Sequence, residues 1–250
     1  MTDKPRHLGE PYANQWEDDC MADDYPHRPP YTPGVFDILE RLAGERVLDV
    51  GCGTGDIARP LAQRVGHVDA LDRSAAMIAK GKSLPGGDRP RWICGLIEDA
   101  VGLEPPYSLV TAGECIHWFD WGRAFPRLRE LAPRLALVYR DHELPEWFPG
   151  LREIIPRYST NTDFAAFDLG KELARRDLFH AKGEERTEAV DFEQPVEAFI
   201  ASIHSRNGFS YARMDRDAAA AFDAEVEHLI RPHASDGLVR LRISSTVLWD

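Results

Sequence analysis

The stretch RVLDVGCGTGD, residues 46–56, decides the fold. An apolar run holding one acid, Asp49, leads into three glycines at alternate positions, Gly51, Gly53 and Gly55. A buried strand that ends in such a turn brings backbone close to a ligand, because glycine has no Cβ and tolerates positive φ. A dinucleotide turn, G-x-G-x-x-G, would need glycine at position 56, where Asp56 stands. A carboxylate at that helix start opposes a pyrophosphate. No Gly-Lys-Ser/Thr follows, which excludes a phosphate-binding P-loop.

Outward from this turn, strands and helices alternate. Val35, Ile38, Leu39 and Leu42 recur at helical spacing, and Gly44 closes that helix. RVLDV (46–50) reads as a buried strand. A helix through Ile57, Leu61 and Val65 follows, with Pro60 delaying or bending it. HVDALD (67–72) is a second strand, and Ser74 caps the next helix, AAMIAKG. RWICG (91–95) and YSLVTAG (107–113) are strands, 121–132 a helix and LALVYR (135–140) a fifth strand. Beyond Arg140, residues 141–182 read as helical and aromatic, 186–194 as a strand, PVEAFIASI and DRDAAAAFDAEVEHLI as helices, and 238–249 as a final strand. Residues 1–34 are polar, aromatic and punctuated by prolines 26, 29, 30 and 33, so no regular element is expected around them. The βα alternation predicts a parallel sheet with helices on both faces and a ligand at the carboxyl ends of the strands.

The formal charge of −12, with arginines interleaved among acids, argues against a nucleic-acid partner. No run approaches the ~18 apolar residues that span a bilayer, and no apolar signal region follows the first residues. A soluble, cytoplasmic protein without a membrane partner is therefore expected. Cys20, Cys52, Cys94 and Cys115 share no CxxC spacing, so they read as reduced thiols and no metal is expected.

VLDVGCGTG resembles the first motif of class I S-adenosylmethionine-dependent methyltransferases. ALDRS (70–74) resembles their second-strand acid motif, and CGLIEDAVGL (94–103) their adenine-loop motif. YSLVTAGECIHWFDWGRAF (107–125) and HRPPY (27–31) are similar to segments of a small-molecule subgroup with a His-Trp pair after the fourth strand. The resemblance covers about residues 35–140. It implies an α/β fold: a seven-stranded, mostly parallel Rossmann-like sheet with helices on both faces and a small helical cap. The expected organisation is an N-terminal lid (1–34) and a methyltransferase domain (35–250) with a cap insertion at about 141–182. One departure is the turn before the fifth strand, where LAPRLALV keeps Pro133 but lacks the usual pair of glycines.

The resemblance implies S-adenosyl-L-methionine as cofactor, with a ribose diol and a zwitterionic tail but no phosphate. Asp72, 21 residues after Gly51, would bind the diol by charge-assisted hydrogen bonds. Asp49 would serve the ammonium and sulfonium side, through water or the backbone of Gly51, Cys52 and Gly53. Ile97 and Glu98 would touch adenine, with Leu96 where the family often has Asp. Arg73 and Met77 would cover the adenosine, and Ala112 and Gly113 would approach the methionine tail. Tyr12, Trp16 and Arg28 would close over the cofactor. On the acceptor side stand Tyr31, Trp118, Trp147, His204, Arg206 and Tyr211.

Two residues are candidates for catalysis. His117 is either a general base or a packing partner of Trp118, and Glu114 would hold the methionine ammonium or an acceptor amine. The expected reaction is methyl transfer to an O, N or C nucleophile of a small metabolite or natural-product intermediate, by a monomer or homodimer. A non-catalytic cofactor-binding partner protein is the alternative. An NAD-linked oxidoreductase is disfavoured by Asp56.

Overall fold

Residues 4–165 and 167–250 are described by the computed structural model. Two short helices open the chain, α1 (Glu10–Ala13) and α2 (Asp19–Asp24), interleaved with 3₁₀ turns. One of these turns, Tyr25–His27, contains Pro26, contrary to the expectation of no regular element there. Proline near the start of a turn sacrifices only an N–H that has no internal partner.

Helix α3 (Gly34–Leu42) leads into β1 (Arg46–Val50). The alternation then runs α4 (Ala58–Leu61), β2 (His67–Asp72), α5 (Ala75–Ser83), β3 (Arg91–Cys94), β4 (Leu109–Gly113), α6 (Trp121–Leu131) and β5 (Leu135–His142). Pro60 leaves α4 only four residues long. Ser74 caps α5, its hydroxyl accepting the Met77 N–H at 3.2 Å. After β5 come α7 (Phe148–Tyr158), α8 (Leu169–Arg175), β6 (Gly183–Arg186), β7 (Val190–Pro195), α9 (Val196–His204), α10 (Arg216–Ile230) and β8 (Leu238–Trp249).

The sheet order is β3-β2-β1-β4-β5-β8-β6, with β7 on the other half of β8. Strands β3 to β5 are parallel, and β8 joins β5 antiparallel. Eight strands thus fill seven positions, because β6 and β7 share one flank of β8. The single strand expected at 186–194 is split in two. At the break, the Thr187 hydroxyl accepts the Ser245 N–H at 2.9 Å in place of a ladder carbonyl.

Side chains alternate across each strand. Leu48, Val50, Val110, Ala112, Leu135 and Leu137 face α6 and α8, where Trp121, Leu128 and Leu173 complete one core. Val47, Val68, Ala70, Leu109, Ala136 and Val138 face the other way, against Val35, Leu39 and Leu61 of α3 and α4. Asp49, Asp72, Thr111 and Arg140 share this second parity, so their side chains lie on one face of the sheet, towards its carboxyl edge. A third core joins α7, α9 and α10 to β8. The region expected as a cap, 141–182, is therefore divided: α7 packs with α9 and α10, whereas α8 packs under the main sheet.

Candidate active site

The glycine turn is held by an acid from the next strand. Asp72 ends β2, and its two carboxylate oxygens accept the N–H of Gly53 at 2.7 Å and of Ser74 at 2.8 Å. Burial raises its pKa against the opposing pull of those two bonds. Gly51, Gly53 and Gly55 all have positive φ, at 59°, 56° and 80°. Any other residue would strain the turn at those three places.

A cleft of about 760 Å³, measured out to its mouth, opens above the turn at the carboxyl ends of β1, β2 and β4. Gly51, Gly53, Asp72, Arg73, Met77, Leu96, Ile97, Glu98 and Gly113 all line it, as the resemblance implies. Ile97 is buried, Leu96 is 43% exposed at the rim, and Glu98 accepts the Asp120 N–H at 2.7 Å. Asp49 and Cys52 lie beside it in a smaller recess of about 220 Å³, together with Gly51, Gly113 and Arg140. There Asp49 accepts the Thr111 hydroxyl at 2.7 Å through Oδ1, while its Oδ2 has no hydrogen-bond partner among the described residues. Burial lifts the Asp49 pKa to about 7, the Thr111 bond opposing. Ala112 is directed into the core beneath α6 and offers the site only backbone.

Glu114 follows β4 with φ 49°, an uncommon conformation for a side chain larger than glycine's, of the kind that recurs at functional sites. Its carboxylate receives Arg140 Nη1 at 2.8 Å, and Arg140 Nη2 reaches Asp56 at 2.6 Å. Burial would raise the Glu114 pKa, but Arg140, Arg28 and Arg206 together bring it below the usual value. The Arg140 guanidinium also stacks on the Tyr31 ring, 3.9 Å from its centroid. Arg140 and Asp56 thereby tie β5 to the glycine turn. Tyr31 supports this unit from the side of Gly113 and does not line the large cleft.

The N-terminal segment crosses the cleft mouth. Trp16, Tyr25 and Arg28 line the cleft, and the rings of Trp16 and Trp118 meet edge to face at 5.8 Å. The segment is anchored on both sides. Arg73 reaches Glu17 at 2.8 Å and Asn14 at 2.9 Å, while Asp18 receives Arg213 at 2.7 Å and Gly208 N–H donates to Gln15 at 2.8 Å. Tyr12 is one of these anchors and lies outside the cleft wall, its hydroxyl donating to Asp163 at 2.9 Å. If the strap acts as a lid, ligand binding orders it. Limited proteolysis is expected to cut within residues 1–30 of the free protein and to be suppressed by S-adenosylhomocysteine. Equal cleavage in both states would refute a lid.

His117 packs against Trp118, with ring centroids 4.8 Å apart, and makes no side-chain hydrogen bond among the described residues. It is not part of the cleft wall, whereas Trp118 is. Its edge keeps some solvent contact, but protein surrounds it, and burial together with Lys4 and His7 outweighs Glu114 to lower its pKa to about 4. A histidine with so low a pKa is neutral throughout the working range and a poor match for a base at pH 7. His117→Gln is therefore expected to leave the shape of the pH–rate profile between pH 5 and 8 unchanged. Stability should show the histidine instead. Between about 4 and the ordinary histidine value of 6.5 the unfolded chain binds the extra proton, so the wild type loses stability as pH falls through that window and the glutamine variant loses less. An inflection near neutrality that vanishes in the variant would restore the base.

Of the expected acceptor contacts, three stand away from the cleft. Trp147 is buried edge-on to Phe199 at 5.3 Å, in the third core. His204 is sealed between Phe209 O at 2.7 Å and Asp223 at 2.6 Å, and Tyr211 stacks on it at 3.7 Å. Trp147 thus joins α7 to α9, and His204 and Tyr211 join α9 and its following loop to Asp223 of α10. Arg206 does face a recess. A second pocket of about 430 Å³ adjoins the cleft and is lined by Arg28, Pro30, Glu114, Arg140, His142 and Arg206. Phe119 and His142 carry no signal in the sequence pattern, whereas Tyr25 is one of the four aromatics of the N-terminal segment, with Tyr12, Trp16 and Tyr31. Arg140 was within reach of parity, since it lies two residues after Val138 on a strand whose end faces the ligand.

Residues 47–135 match the family described as a methyltransferase domain. The chain is 35% identical over 136 residues to an uncharacterized methyltransferase of Mycobacterium tuberculosis, covering 52% of this chain and 54% of that protein. It is 31% identical over 117 residues to the trans-aconitate 2-methyltransferase of Pseudomonas aeruginosa, covering 45% of this chain and 40% of that protein. The chain thus spans about half the length, or less, of these curated relatives. Among solved structures, a candidate type II methyltransferase from Anaeromyxobacter dehalogenans superposes with a TM-score of 0.60 at 24% identity, over 89% of this chain and 96% of that one. That likeness is one of fold. The matched segment is that of a methyltransferase domain and the likeness of fold agrees with it; the cofactor that goes with such a domain is S-adenosylmethionine.

The residues present fit that cofactor. Asp72 stands where a diol needs an acceptor. Apolar Met77 and Ile97 suit a purine, and the unpartnered Asp49 oxygen suits a cationic tail. The Trp16 indole N–H, buried and without a partner among the described residues, is a second polar group left for a ligand.

Proposed function

We propose that this protein transfers a methyl group from S-adenosylmethionine to an oxygen, nitrogen or carbon nucleophile of a small organic acceptor. The observation that carries the reading is the pairing of two cavities. A cleft shaped for a nucleoside at the strand ends adjoins a polar recess, and the two share Arg28 and Glu114. When bound, the cofactor supplies a methyl group on a positively charged sulfur, a reactive donor that needs little activation.

The protein's part is placement. Holding donor and acceptor within ~3–3.5 Å and in line accounts for most of the rate such an enzyme provides. Asp72 and the glycine turn fix the adenosine end, and Asp49 faces the cationic end. Trp16, Tyr25 and Trp118 cover the cleft and exclude water. Glu114, held by Arg140 at the junction of the cavities, orients the acceptor's polar group. His117 supports Trp118.

The same reading makes the acceptor a freely diffusing metabolite or biosynthetic intermediate handled in the cytoplasm by a monomer or homodimer, without nucleic acid or membrane. A surface of formal charge −12 supports this, as does the lack, among the described residues, of any helix long and apolar enough to cross a membrane. Calorimetry tests the reading first. S-adenosylhomocysteine is expected to bind one site per chain while NAD does not, and methyl transfer from S-adenosylmethionine to a screened acceptor should follow. Binding of NAD in preference would overturn it.

A further inference from the structure

Arg206 stands out among the charged residues of the second recess. It follows α9 and lines the recess together with Glu114 and His142. The other arginines around it are engaged. Arg140 is paired with Glu114 at 2.8 Å and with Asp56 at 2.6 Å, and Asp56 also receives Arg59 at 3.1 Å. Arg28 donates to the hydroxyl and carbonyl of Ser205 and lies over the Tyr25 ring, 4.4 Å from its centroid. Arg206 has no side-chain hydrogen bond or ion pair with any described residue. Its side chain is exposed to solvent along this open recess.

The charge balance is uneven. Arg59 and Arg140 are offset by Asp56 and Glu114. That leaves Arg28 and Arg206 against one carboxylate, Asp141, which is itself held by the Thr246 hydroxyl at 2.6 Å. About one positive charge remains, in a chain whose formal charge is −12. Burial, with Arg28 and Arg140, lowers the Arg206 pKa to about 10 despite Glu114, so it stays charged at neutral pH. Burial and then Arg206 lower the His142 pKa, leaving a neutral imidazole as a further hydrogen-bonding wall. An arginine that lines a recess without an ionic partner leaves its donors free for a ligand of opposite charge.

We propose that the methyl acceptor is a carboxylic acid whose carboxylate is bound by Arg206 in the recess walled by His142, Pro30 and Ile243. This rests on the methyltransferase reading and names the acceptor class for it. The guanidinium offers two parallel N–H donors that match a planar carboxylate. A single residual positive charge suits a monoanion better than a phosphate dianion flanked by Glu114 and Asp141. Arg28 lines both cavities. Arg206 lines only the second cavity and serves the acceptor.

Acetate, benzoate and glutarate, with acetamide and benzamide as neutral counterparts, would be titrated into wild type, Arg206→Gln and Arg206→Lys. Each protein is used free and saturated with S-adenosylhomocysteine, with inorganic phosphate as a further probe and circular dichroism as the check on folding. At least one acid should bind wild type saturably while its amide does not. Arg206→Gln should weaken that binding about tenfold or more, the scale of a lost charged hydrogen bond, and Arg206→Lys should weaken it less. S-adenosylhomocysteine affinity should be alike in all three proteins. The proposal is overturned if no acid binds, if Arg206→Gln binds acids as wild type does, or if phosphate binds better than any acid. It is also overturned if Arg206→Gln loses S-adenosylhomocysteine instead, because the arginine then belongs to the cofactor. If wild type fails to bind S-adenosylhomocysteine, the methyltransferase reading falls, and the titrations of the free protein still decide the anion site.

Discussion

Asp72→Ala is expected to abolish detectable S-adenosylhomocysteine binding and to destabilise the fold in the same step. The carboxylate has two tasks. Facing the cleft, it would accept from the hydroxyls of the proposed cofactor. Facing inward, it accepts the buried N–H groups of Gly53 and Ser74. A hydrogen bond to a charged group contributes ~1.5–3 kcal/mol, and a buried donor left unpaired costs a similar amount. Losing the ligand bonds alone would weaken binding by ~10- to 150-fold. Freeing the turn adds to that loss, because Gly53 itself lines the cleft. Calorimetry and thermal melting read the two effects separately. Asp72→Asn keeps one acceptor oxygen and should retain more stability than alanine while still losing most affinity. Unchanged affinity in the alanine variant would remove Asp72 from the ribose site.

Gly53→Val should likewise eliminate cofactor binding, by obstruction. Its φ of 56° lies in the left-handed region, which costs an L-residue about 1–2 kcal/mol and a β-branched residue more. A Cβ there would meet only the Tyr25 ring, at 3.5 Å, an ordinary contact. The backbone therefore accommodates the substitution at the price of strain, and the valine methyls project into the cleft. A melting temperature lower by several degrees, on the order of 2–4 °C per kcal/mol for a chain this size, should accompany complete loss of S-adenosylhomocysteine binding. Gly53→Ala carries similar strain with less obstruction and should keep measurable affinity. Valine at 53 with wild-type affinity would place the ligand elsewhere.

Much of the cofactor cleft was legible because its determinants are local. The glycine turn, the acid ending β2 and the Leu96–Glu98 loop each lie within a few residues of a strand end, and the order of strands brings those ends together. HVDALD shows where local reading stops. It holds two acids, and only the register tells them apart. Asp72 reaches the cleft, whereas Asp69 is sealed by Arg91 at 2.7 Å, His67 at 2.7 Å and Tyr107. The recess was harder to read. Its walls come from residues 28–30, 114, 140–142, 206 and 243, and nothing in a linear pattern announces that these meet. His204 and Tyr211 were attractive as a polar, aromatic pair next to a glycine. Their attraction is for Asp223 on α10, a partner 19 and 12 positions further along the chain.

The final strand has a consequence for how the molecule comes apart. Residues 243–249 of β8 pair with β5, and residues 238–243 pair with β7. Val247 belongs to the core against α3, while Val239, Leu241 and Ile243 belong to the core of α7, α9 and α10. One unbroken twelve-residue strand is thus the spine of both layers. Detaching the outer helices would strip it of half its pairing, and melting the parallel sheet would strip it of the other half. The two parts consequently share a single cooperative transition. The N-terminal strap stands apart from this spine: it is held to the rest of the wall by side-chain bonds and carries no strand of the sheet.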